Sequence, residues 1–170
     1  MGFRYAILRM FSFGSAADFL LTKIIDFTLE TQKRIKGLKD YSDAPREIEW
    51  DSILELLSFA YFATSKILTD KYKNEKKTND TLTLLFEKII TDIVQHRNPK
   101  LKYNLFHDYF DQVFIEHCED YDKYNLNIKD KDSVVINIAN KIARIYGKKA
   151  DDGLKAVVEN FYKNIIHLSA

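Results

Sequence analysis

Apolar residues recur at helical spacing along most of the chain. Ala17, Leu20, Leu21, Ile24, Phe27 and Ile35 trace one stripe. It opens at Ser15-Ala16-Ala17-Asp18, which resembles a capping box, and closes at Gly37, a fitting C′ residue. Asp43-Ala44-Pro45 opens a second helix spanning about residues 45–72. Glu47, Glu49 and Asp51 near its start, with Lys66, Lys71 and Lys73 near its end, suit the helix macrodipole. Its middle, ILELLSFAYFA, is apolar on nearly every side, which predicts a long central helix surrounded by the others.

After a polar, exposed turn at 74–78, Asn79 or Asp80 is expected to cap a third helix carrying Leu82, Leu85, Phe86, Ile89 and Ile93. Asn98-Pro99 ends it and starts a fourth, whose buried stripe reads Phe106, Tyr109, Phe110, Val113, Phe114 and His117. The acidic, Tyr- and Asn-rich stretch 119–132 reads as a loop of about a dozen residues, long for a bundle. Ser133 starts a fifth helix with Val135, Ile138, Ala139, Ile142 and Tyr146, ended by Gly147. Asp151 or Asp152 caps the last, which carries Leu154, Val157, Val158, Phe161, Tyr162 and Ile165.

These elements predict an all-α, single-domain antiparallel bundle of about six helices over residues 15–170, preceded by an amphipathic segment at 1–14. In that segment Phe3, Ala6, Ile7, Met10 and Phe11 share a face, and packing on the bundle is expected, with membrane contact as the alternative. Five glycines and two prolines among 170 residues leave too little turn chemistry for a sandwich of short strands. Apolar residues make up 46% of the chain, enough for a large core and too many for intrinsic disorder. The most apolar stretch, 53–63, is too short to cross a membrane and contains Glu55. Twenty-six basic against 25 acidic residues give a net charge of +1, so no generic attraction to nucleic acid or anionic lipid is expected. A single cysteine, Cys118, suits a reducing, cytoplasmic setting.

Chemistry-bearing patterns are sparse. His107 and Asp111, at i and i+4, can share one metal ion if a neighbouring helix supplies another ligand, such as His96 or His167. This gives one alternative function, a metal-assisted hydrolase. His107-Asp108 is similar to the metal-binding pair of HD-type phosphohydrolases, but the spacing to His96 is wrong and the match stops at two residues. Asp120-Tyr121-Asp122 starts like a calcium loop, but Asn125 and Lys131 stand where Gly and Glu are required. Phosphate loops, dinucleotide fingerprints and nucleophile elbows are missing. Lys71, Lys73, Lys76 and Lys77 form one basic cluster; Lys141, Arg144, Lys148 and Lys149 form another. The second borders a turn too long for a helix-turn-helix, followed by Asp151 and Asp152, which would face phosphates.

The leading expectation is therefore a non-catalytic helical domain that binds another protein or a second copy of itself as a homodimer. Its contacts are expected at Phe3, Ile7, Met10 and Phe11 and at Tyr121 and Tyr124, the residue types that anchor interfaces. No cofactor is expected, nor nucleic acid as a partner, nor a membrane except through residues 1–14. A further alternative places an apolar small ligand around the Phe59–Phe62 part of the central helix.

Overall fold

A helix without a polar face is stable only where other elements enclose it. The structure, a computed structural model, describes residues 13–72, 75–93, 103–124, 126 and 130–169. Among them are α1 (Phe13–Lys36), a 3-10 turn (Lys39–Tyr41), α2 (Arg46–Lys71), α3 (Glu75–Asp92), α4 (Tyr103–Tyr121), α5 (Lys131–Ile145) and α6 (Asp152–Ser169). At 26 residues α2 is the longest of them and packs against all five other helices. Leu56, Leu57, Phe59, Ala60 and Ala63 are fully enclosed, each large side chain contributing about 1.5–3 kcal/mol by burial. One continuous core draws on all six helices, so the described residues form a packed all-α bundle. No helix among them is long and apolar enough to cross a membrane.

Several boundaries differ from the sequence expectation, each for a local reason. Helix is already present at Phe13, so Ser15 lies inside α1 rather than capping it. Gly37 ends α1, its N–H donating to the carbonyls of Lys33 and Arg34 at 3.1 Å, but without the left-handed backbone expected of a C′ glycine. The chain instead tightens into the 3-10 turn, which is pinned by Tyr41. That ring is buried, meets Tyr146 edge-on at 5.1 Å and donates its hydroxyl to the Lys149 carbonyl at 3.3 Å. α3 starts at Glu75, within the stretch expected to be a turn, and leaves Asn79 and Asp80 exposed in its second turn. Thr78 and Thr81 explain this: both are buried, and Thr81 donates its hydroxyl to the Lys77 carbonyl at 2.8 Å.

The expected loop at 119–132 is shorter than its composition suggests. α4 runs on to Tyr121 and α5 begins at Lys131, ahead of Ser133. Where α5 ends, Gly147 does adopt the left-handed conformation, with φ of 65°. Its N–H donates to Arg144 O at 2.9 Å and that of Lys148 to Ala143 O at 2.8 Å, the paired bonds of a Schellman motif. Asp151 caps α6 as expected, accepting from the Leu154 N–H at 2.7 Å. Among the buried polar side chains, Ser52 donates to Gln32 and Gln32 to Tyr146, both at 2.8 Å, stitching α1, α2 and the end of α5 together.

Residues 1–12, including Phe3, Ile7, Met10 and Phe11, lie outside the described residues, as do His96, Asn98 and Pro99. The side chains of Phe106, His117 and Cys118 do too.

Candidate functional site

α4 carries His107, Asp111 and Tyr121 of the residues singled out from the sequence and divides its side chains between two faces. His107, Phe110, Phe114 and Tyr121 turn toward the bundle, whereas Asp108, Tyr109, Asp111, Gln112, Ile115, Glu116 and Glu119 are exposed. Tyr109 was expected in the buried stripe. At about 100° per residue the inward arc is centred between Phe110 and Phe114, which leaves Tyr109 at its outer edge, 48% exposed.

Tyr121 is a correction of the opposite sign. Expected on a loop facing a partner, it is fully buried on the last turn of α4, with its ring edge-on to Phe59 at 5.1 Å and tilted against Phe62 at 5.9 Å. Its hydroxyl donates to Glu55 at 3.4 Å. The Lys141 ammonium sits 4.9 Å over the ring, 3.9 Å from Glu55 and 2.5 Å from Asp120. Burial, reinforced by the Glu55 carboxylate, drives the Tyr121 phenol well above its ordinary range, so it stays protonated as a donor. A carboxylate on the central helix is thus compensated by a phenol from α4 and an ammonium from α5, the pairing a buried charge requires. Lys141 is thereby withdrawn from the basic cluster proposed around Gly147. Tyr124, the other expected contact, is half-buried against the core with Lys123 5.1 Å over its ring.

Among the described residues the proposed metal pair meets no third ligand, and His96 lies outside them. His107 turns Nε2 toward Glu87 of α3 at 3.2 Å and packs edge-on against Phe86 at 5.3 Å, while Asp111 is exposed one turn further along. His167 is remote in role, its Nδ1 lying 2.6 Å from the Lys163 carbonyl within α6. Among the described residues no three His, Cys, Asp or Glu side chains are grouped to hold a metal ion. The Phe59–Phe62 region is filled by aromatic side chains: besides Tyr121, Phe161 and Tyr162 lie 6.3 and 6.1 Å from Phe59.

What the sequence reading missed is the role of Glu55, noted there only as an interruption of an apolar run. A charged residue in the middle of an all-round apolar helix was itself the signal, since such a residue is almost never buried without a partner. The second omission is the outward arc of α4. Its sequence from Tyr103 to Tyr121 holds five carboxylates and no Lys or Arg, and Ile115 stands 52% exposed among them. Tyr109 borders the same arc; burial first, then the carboxylates of Asp51, Glu116 and Glu55, raise its phenol above the usual range.

Set against models of protein families, curated proteins and solved structures, the chain matches none.

Proposed function

We propose that the chain is a non-catalytic, cytoplasmic protein-interaction domain. The observation that supports this most directly is the outward arc of α4. Tyr109 and Ile115 stand there about half exposed on a helix whose main contacts are with α2 and α3, while the core is filled without them. Large apolar side chains ringed by polar ones are what protein interfaces present before they are covered. The ionisable groups at the bundle's interior serve structure instead: Glu55, Tyr121 and Lys141 neutralise one another, and His107 is engaged with Glu87.

Reversible cross-linking of the tagged full chain in its native lysate, competed with untagged chain, tests the reading. A stoichiometric, saturable protein partner or a cross-linked second copy is expected. A chain that stays monomeric at high concentration and captures nothing that untagged chain displaces overturns it.

A further inference from the structure

We propose that the outward face of α4 docks a basic amphipathic segment, rich in Lys and Arg, of a partner protein. The proposal rests on the interaction reading above and names its surface and the chemistry of what covers it.

Three features point there, the third a consequence of the same charges as the first. The first is charge segregation. The chain as a whole is almost neutral, with 26 bases and 25 acids, yet Asp108, Asp111, Glu116, Glu119 and Asp120 all fall on one helix that lacks Lys and Arg. Asp120 is compensated within the bundle by Lys141, and the other four are exposed. The second is placement of the apolar residues. Asp111, Ile115 and Glu119 follow one another at i, i+4 and i+8, so the exposed Ile115 stands between two carboxylates on a single row. Asp108 and Gln112 form the neighbouring row, and Tyr109 lies beyond it, about 120° round the helix from Ile115. A partner helix with one or two apolar side chains between basic ones would bury Ile115 and pair the acids in the same register.

The third feature is that α4 is charged against its own interest. It has no acid in its first turn and no base in its last, while Glu119 and Asp120 sit at the negative end of its dipole. Asp108 with Asp111, and Glu116 with Glu119, are like-charge pairs at i, i+3. Each arrangement destabilises an isolated helix by a few tenths of a kcal/mol, and a basic partner reverses the sign of all of them. Local rules broken together in one exposed place mark a functional surface. The same field disfavours nucleic acid and anionic lipid there.

The test uses the full chain and a fluorescein-labelled helical peptide of Lys, Leu and Ala with leucines at i and i+4, followed by anisotropy. Two control peptides replace every Lys by Glu or every Leu by Ser. The Lys–Leu peptide is expected to bind, more weakly at higher salt. At least about tenfold should be lost with Ile115→Ser, with the double change Asp111→Lys/Glu119→Lys, and with the Leu→Ser peptide. All substituted residues are exposed, and unchanged thermal melting shows that the fold is kept. The proposal is overturned if the Lys–Leu peptide does not bind, if both variants bind it as wild type does, or if the Leu→Ser peptide binds equally well. Cross-linking in lysate separates the two levels of failure. A partner captured equally by wild type and by both variants removes this surface and leaves the interaction reading standing. A second copy captured in place of another protein, and lost in the variants, overturns the partner assigned here. No partner at all removes the interaction reading itself.

Discussion

Tyr121→Ala should destabilise the bundle by about 4 kcal/mol, the range for truncating a fully enclosed aromatic being about 3–5. The side chain is 0% exposed and touches two other helices: the rings of Phe59 and Phe62 and the Glu55 carboxylate on α2, and the Lys141 ammonium on α5. The hydroxyl accounts for the smaller part. At 3.4 Å its bond to Glu55 is long, so Tyr121→Phe should cost about 1 kcal/mol, near the typical value for a hydrogen bond and below that for a charged acceptor. With a urea slope of about 2 kcal/mol per molar, the unfolding midpoint should fall by about 2 M for the alanine variant and about 0.5 M for phenylalanine. Tyr109→Ala, twelve residues earlier on the outward side of the same helix, should stay within about 0.5 kcal/mol of wild type. If Tyr121→Ala shifts the midpoint no more than Tyr109→Ala does, while Phe59→Ala shifts it by about 2 M, the inward placement of Tyr121 is refuted.

Two further outcomes test the bundle's other joints. Glu159 on α6 accepts from Lys131 and Lys163, both at 2.8 Å, and these hydrogen bonds hold its pKa down to about 2 from an ordinary 4.5. A carboxylate with a depressed folded pKa stabilises above its unfolded value and loses that contribution as pH falls through the folded one. Urea midpoints should therefore decline less between pH 4.5 and about 2 in Glu159→Gln than in wild type; parallel declines would contradict the assignment. Gly147→Ala should cost about 1–2 kcal/mol from its positive φ alone, because a Cβ there would meet nothing within 4 Å. Gly147→Asn should recover part of that loss in the same denaturation assay, and an alanine variant as stable as wild type would refute the left-handed turn.

How far the fold could be read from the sequence depended on whether local and long-range forces agreed. The central helix was legible because eleven consecutive positions, 53–63, apolar apart from Glu55 and Ser58, leave no solvent face at any helical phase. Gly147 and Asp151 were legible because the left-handed C′ position and the N-cap each demand a particular residue chemistry. Ends without such a demand were displaced. Glu75 to Thr78 is polar and reads as a turn, yet two threonines small enough to bury their methyl groups carry α3 back through it. Tyr121 stands among acids that speak for solvent. Its burial is made favourable by partners on another helix, the rings of Phe59 and Phe62 and the carboxylate of Glu55, and no local pattern reports that distance in sequence.

The same reasoning explains why the two faces of α4 differ so sharply in what their acids do. Asp120 lies beside the bundle and is matched by Lys141, which also reaches Glu55 and the face of Tyr121. One lysine thereby serves two carboxylates and an aromatic ring, and removing it would leave Glu55 without its counter-ion in the interior, a far larger penalty than losing an exposed ion pair. Among the described residues, Asp108, Asp111, Glu116 and Glu119 are exposed and make no ion pair with a Lys or Arg. Gln112 donates to Glu116 at 3.3 Å, and Asp108 lies 3.9 Å from the His107 ring. Folding therefore compensates Glu55 and Asp120 and leaves the outward carboxylates exposed with Ile115 between them, which is the surface at which a basic partner is proposed to dock.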